Sequence, residues 1–180
     1  QLGATQVRGE KDTAAIASFR KAISVAPAYG IGYLNLGVSL YQQGNFNEAI
    51  DNFAWAIAMD RSHAELLSGL VEDLMRQERW DLAILVWQIA CEEWPGDANP
   101  FAYLGISLFQ SGRTSEAQDS FGQALRISAD NTTALFGLGL LHERSGHITV
   151  AVRLYEKCLT IAPDNDEVRG HLAQLVAGFR

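Results

Sequence analysis

Small and bulky apolar residues return along this chain on a fixed beat of 34 positions. One alanine column reads Ala15, Ala49, Ala83, Ala117 and Ala151, and four residues later an aromatic column reads Phe19, Phe53, Trp87, Phe121 and Tyr155. Three positions further on, a small column reads Ala22, Ala56, Ala90, Ala124 and Cys158. Offsets of four and three place these residues on one face of an α-helix. On such a face a small residue lets a second helix approach, and the aromatic fills the space beside it. Upstream in each unit stands Leu2, Leu36, Leu70, Leu104 or Leu138, followed by Gly3, Gly37, Val71, Gly105 or Gly139. The pair predicts a preceding helix, in which glycine costs about 1 kcal/mol of helix propensity but removes a side chain at the helix contact.

Turn chemistry separates the two helices of a unit: Gln43-Gly44-Asn45, Ser111-Gly112-Arg113 and Ser145-Gly146-His147 each offer a glycine for a left-handed cap. Pro27, Pro95 and Pro163 share a column near the end of their units, with Arg61 and Ala129 as the exceptions, and proline there stops a helix. Each unit is therefore expected to be a helix hairpin. With Tyr33, Leu36, Gly37, Leu40, Ala49, Phe53 and Ala56 in order, the chain resembles the tetratricopeptide repeat family. The resemblance implies an all-α fold, a right-handed superhelical solenoid of antiparallel helix hairpins. Complete units are expected at 30–63, 64–97, 98–131 and 132–165, after a truncated unit at 1–29. Residues 166–180 read as a C-terminal capping helix, with Asp166 as its cap and Val168, Leu172, Leu175, Val176 and Phe179 as its apolar stripe. The 64–97 unit departs most from the pattern: Val71 and Glu78 stand in glycine positions, and Trp80, Trp87 and Trp94 cluster there.

Composition narrows the function classes. Of the 180 residues, 48% are apolar, enough for a substantial core, and 21 acidic against 14 basic side chains give a net charge of -7. Such a field repels a polyphosphate backbone, which excludes nucleic acid as the expected partner. No uninterrupted apolar run approaches the ~20 residues that cross a bilayer, so membrane insertion is not expected. Cys91 and Cys158 lie nearly two repeats apart and read as small core residues rather than a disulfide. The chain opens on Gln1 without a methionine and reads as a fragment; no signal sets the compartment, and the cytoplasm is the default expectation.

Catalytic chemistry is not expected. His142 and His147 are five apart with Gly146 between them, whereas helical zinc-binding histidines are four apart on one face. His63 and His171 have no catalytic company, and no phosphate loop, nucleophile elbow or Cys-x-x-Cys occurs. Neither a metal nor a cofactor is called for. Asn131-Thr132-Thr133 matches a glycosylation acceptor, but either of its first two residues can simply cap the next helix.

The resemblance places function on a concave groove lined by the first helix of each unit. By register the candidate lining is Ile31, Leu34, Asn35, Val38, Tyr41 and Gln42; then Glu65, Ser68, Gly69, Glu72, Met75 and Arg76; then Asn99, Ala102, Tyr103, Ile106, Phe109 and Gln110; and last Thr133, Phe136, Gly137, Leu140, Glu143 and Arg144. Apolar and aromatic residues dominate, so the expected ligand is a protein or peptide segment with apolar side chains, and the expected role is an interaction scaffold. A basic clamp for terminal carboxylates is disfavoured, because Arg76 and Arg144 are the cations of this set and Glu65 and Glu72 oppose them. An asparagine ladder is absent, since its column reads Asn35, Gly69, Tyr103 and Gly137. Three other readings stay open: packing of groove residues such as Tyr103, Ile106 and Phe136 between neighbouring first helices, self-association of the domain through its ends, and positioning of substrate for an enzyme domain elsewhere.

Overall fold

The computed structural model describes the backbone of residues 2–28, 30–59, 69, 71–72 and 74–177, with side chains from residue 13 onward except residue 59. Every regular element among them is an α-helix, and they form two units, residues 1–73 and 74–180. In the first unit, α1 (Leu2–Val25) packs on α2 (Gly30–Gln42), which pairs with α3 (Phe46–Met59). In the second, helices α4 (Trp80–Glu93), α5 (Ala98–Gln110), α6 (Thr114–Ile127), α7 (Thr132–Arg144), α8 (Ile148–Ile161) and α9 (Asp166–Ala177) each pack on the next. Leu74–Arg76 is helical as well and leads into α4 through a turn. Hairpins therefore run α2–α3, α5–α6 and α7–α8, as the repeat requires.

The three columns meet inside each hairpin. Phe53, Phe121 and Tyr155 have no exposed surface, nor do Ala49, Ala83, Ala90, Ala117, Ala124, Ala151 and Cys158. The glycine of the first helix lies against the ring. A Cβ on Gly37 would come within 2.6 Å of Phe53 Cε1, and one on Gly105 within 2.5 Å of Phe121. Tyr155 presses on Gly139 in the same way, and Phe121 is also met by Gly137 of the next first helix. At the same step along the chain Trp87 stacks on Tyr103, ring centroids 4.9 Å apart and planes 18° apart, and Tyr155 approaches His171 at 5.8 Å. One aromatic thus contacts its own first helix and the following one.

Turns close on a single backbone pattern. Gly112 N–H donates to the Phe109 carbonyl and Arg113 N–H reaches back to the Leu108 carbonyl at 2.9 Å; Gly44 with Asn45, Gly146 with His147 and Glu78 with Arg79 repeat it. This is the Schellman arrangement, whose C′ residue is left-handed. Gly44, Gly112 and Gly146 have φ of 81°, 84° and 77°, and Glu78 is forced to 57°. First helices are capped by a further column at the same period: Asp97, Asn131 and Asn165 accept from the N–H of Asn99, Ala134 and Val168. The expected cap of α9, Asp166, is instead its first helical residue, because Asn165 already supplies the acceptor.

Two further expectations need adjustment. Leu2-Gly3 and the Ala15, Phe19 and Ala22 columns lie on one unbroken helix, so the first unit is not a hairpin. Glu10-Lys11 occupies the place of Gly44-Asn45, and both residues favour helix. In α9, Val168 is fully buried against Leu135, Ala151, Tyr155 and Cys158, with Leu172 and Leu175 beside them, but Val176 is 46% exposed. Phe179 and the whole of 178–180 lie outside the described residues, as do His63, Glu65 and Ser68.

Because Phe121 is held between two glycine-bearing helices, its ring has no room to yield. Gly105→Ala is expected to destabilise the chain by about 1–3 kcal/mol, and Glu78→Gly to stabilise it by about 1 kcal/mol by relieving the left-handed residue. Urea denaturation monitored by circular dichroism measures both.

Candidate functional site

The first helices expose different amounts of each register column. Leu34 and Ala102 share one column, 4% and 0% exposed, and Phe109 is 8% exposed. These three candidates are sealed by the chain's own helices and are corrected to core positions. The reason lies in the neighbours of a first helix: α5 packs on α4, α6 and α7, so a residue turned toward an adjacent first helix meets protein rather than solvent. Phe136, in the same column as Leu34 and Ala102, is half-buried against the rings of Tyr155 at 5.8 Å and His171 at 5.6 Å.

Other candidates remain reachable. In the first unit Ile31, Asn35, Val38 and Tyr41 are half-buried, and Gln42, Gly69 and Glu72 exposed. Tyr41 sets its ring edge-on to Phe46, itself 53% exposed, at 4.9 Å. In the second unit Met75, Tyr103, Ile106, Thr133 and Leu140 are half-buried, whereas Arg76, Asn99, Gln110 and Arg144 are exposed and Gly137 is buried. Tyr103 is fixed by its stack on Trp87. Met75 is held near α5 by the fully buried Ser107, whose hydroxyl donates to the Tyr103 carbonyl at 3.1 Å and lies 3.8 Å from the Met75 sulfur. Arg144 places its guanidinium carbon 5.6 Å from the centre of the Phe109 ring, a cation–π contact.

At the last hairpin a polar group escaped the sequence reading. Tyr155 O–H donates to Glu143 Oε2 at 2.6 Å, and His171 Nδ1 lies 3.1 Å from the same oxygen. Burial first, then the hydrogen bond to Glu143 and the charges of Glu143 and Glu167, push the Tyr155 hydroxyl well above its ordinary pKa, so it stays a donor. The sequence held a signal: Tyr155 is the single member of the aromatic column with a hydroxyl, and His171 continues the column Asn35, Gly69, Tyr103, Gly137.

Elsewhere the chemistry is that of a packed interior. Cys91 and Cys158 are buried free thiols, and burial, with Glu92 nearby, pushes Cys91 up to about 12, which suppresses thiolate reactivity. Among the described residues no three His, Cys, Asp or Glu side chains are grouped to hold a metal, and no helix is long and apolar enough to cross a membrane. Asn131 is engaged as the α7 cap and also donates to Asn99 Oδ1 at 2.9 Å.

His142 stands in the column of Leu40, Leu74 and Leu108, and its Nδ1 is buried without a hydrogen-bond partner. The His147 ring lies 5.6 Å away. Burial, then His147, lowers the His142 pKa. The unfolded chain therefore binds a proton where the native chain resists it, so native stability falls as pH drops through the ordinary histidine range. His142→Leu, which restores the column's usual residue, is expected to stabilise the chain and to flatten that loss between about pH 7 and 5. Melting temperatures of both forms across this range test it.

A family model for the tetratricopeptide repeat matches residues 5–51, 34–98 and 104–166. The chain is 25% identical over 170 residues to Superkiller protein 3 of Schizosaccharomyces pombe, a match that takes in 91% of this chain but 12% of that protein. Among solved structures, it is similar to the first TPR of Spaghetti (RPAP3) bound to an HSP90 peptide, with a TM-score of 0.57, 18% identity, and coverage of 67% of this chain and 95% of that one. It is also similar to YrrB, described as a TPR protein with an unusual peptide-binding site, with a TM-score of 0.56, 20% identity, and coverage of 93% and 87%. At these identities the structural likeness establishes a common fold.

Proposed function

The chain belongs to the tetratricopeptide repeat family, and from that premise we propose that it is a protein–protein interaction scaffold whose first helices hold an apolar or amphipathic peptide segment of a partner. The reading is carried by one observation: Met75, Tyr103, Ile106 and Leu140 keep part of their surface in water although Leu74, Ala102, Leu104 and Leu141 close by are buried. Large apolar side chains left partly in water, two of them, Ile106 and Leu140, at the same register position, favour a binding surface. Tyr103 and Met75 are positioned by contacts with Trp87 and Ser107, which lowers the ordering cost of accepting a ligand.

Two relatives' descriptions name bound peptides or a peptide site, which supports the class of ligand. The peptide in the Spaghetti structure, SRMEEVD, is acidic over its second half, with two glutamates and a terminal aspartate. This chain, at net charge -7, suits a different ligand, one bound by its apolar side chains.

Peptides selected from a random library on the whole chain are expected to be rich in Leu, Phe or Trp. Ile106→Glu combined with Leu140→Glu is expected to weaken them by at least about tenfold, or 1.4 kcal/mol, with the helical circular dichroism spectrum retained. Undiminished binding by the double variant would remove this face from the account.

A further inference from the structure

We infer that Glu143 forms a subsite for a lysine side chain of the bound segment, a specificity element that rests on the reading of the first-helix face as a peptide-binding surface. Glu143 occupies the register column that holds Tyr41, Met75 and Phe109 in the preceding repeats. A carboxylate is thus substituted into an otherwise apolar column, with 25% of its side chain exposed. The two side chains that meet it are themselves packed on an apolar ring, since Phe136 lies against both Tyr155 and His171.

The two groups that engage the carboxylate, Tyr155 and His171, both meet Oε2. A carboxylate offers about four lone-pair sites, so Oε1 retains its accepting capacity. The neighbouring cation does not take it up, because the Arg144 guanidinium stands over the Phe109 ring. The Tyr155 hydroxyl contributes a hydrogen bond but no positive charge, and His171 contributes a charge only when protonated. A partly desolvated carboxylate with that company gains from a cation brought by a ligand. One available oxygen suits the point charge of an ammonium better than the two-pronged guanidinium. The overall charge of -7 favours a cationic segment too.

Tyr155 and His171 also orient the carboxylate before any ligand arrives. They come from α8 and α9, so three helices hold one oxygen in place. A purely structural acceptor for the Tyr155 hydroxyl would function equally well as an amide, and this difference makes the inference testable.

The probe is acetyl-Leu-Leu-Lys-Leu-Leu-amide, compared with its norleucine and glutamate counterparts by calorimetry on the whole chain. The lysine peptide is expected to bind wild type about tenfold more tightly than the norleucine peptide, and the glutamate peptide more weakly than either. Glu143→Gln, which keeps an oxygen for the Tyr155 hydroxyl, is expected to abolish the lysine preference, so that the lysine and norleucine peptides bind it alike. Equal binding of the lysine and norleucine peptides to wild type overturns the subsite and leaves the peptide-binding face intact. Failure of all three peptides to bind overturns both. If Glu143→Gln does not fold, the lysine preference of wild type still decides: it shrinks with added salt if a charge pair causes it, and a salt-independent preference counts against the proposal.

Discussion

The contact between an aromatic ring and a glycine backbone governs this structure. Phe53 on Gly37, Phe121 on Gly105 and Tyr155 on Gly139 each occupy space that a Cβ would need. The ring fixes how closely the two helices of a hairpin lie, and the flanking alanines let it enter. Phe121 shows the second half of the arrangement, because Gly137 of the following first helix closes on the same ring. One side chain therefore sets two helix contacts. Close packing of this kind transmits a volume change directly into helix position, which is why a single methyl group matters there while many surface changes do not.

Most of this was legible in the sequence because it is written as residue size at a constant interval. A helix-facing column must be small or bulky in every unit, so five occurrences compensate for the ambiguity of any one. Turn positions were legible for a related reason, since a left-handed residue selects glycine; Glu78 broke the rule and took the same backbone course, held by the same pair of hydrogen bonds as its glycine counterparts. The cap of α9 was misplaced by one residue. Asp166 and Asn165 are both good caps, and the deciding observation was the column Asp97, Asn131, Asn165, which is legible by period once caps are sought that way.

The candidate site was less legible, and for a geometric reason. Register says which residues share a stripe of the first helix, but that stripe borders both the open face and the neighbouring first helix. Leu34, Ala102 and Phe109 fell on the closed side, and Ile106 and Leu140 on the open side. Their chemical types are alike, so hydrophobicity could not separate them. Only the position of the adjacent helix does so. Polar pairing across elements distant in sequence was invisible as well: Glu143 and His171 are 28 residues apart and meet because α9 returns to the last hairpin.

Tyr155 joins the two levels. Its ring belongs to the packing column and is wholly buried, while its hydroxyl extends past Gly139 to a carboxylate on the first-helix face. Burial that keeps the hydroxyl protonated also keeps it a donor, so the group that sets the hairpin spacing orients Glu143. The other members of the column are phenylalanine or tryptophan, and the Trp87 ring instead supports Tyr103 by stacking. A repeat can thus keep its architecture constant and vary the face it presents, because the hydroxyl that distinguishes Tyr155 from the phenylalanines of its column is added at the tip of a ring that packs on glycine as theirs do. Function in such a chain is added where the packing rule leaves a choice.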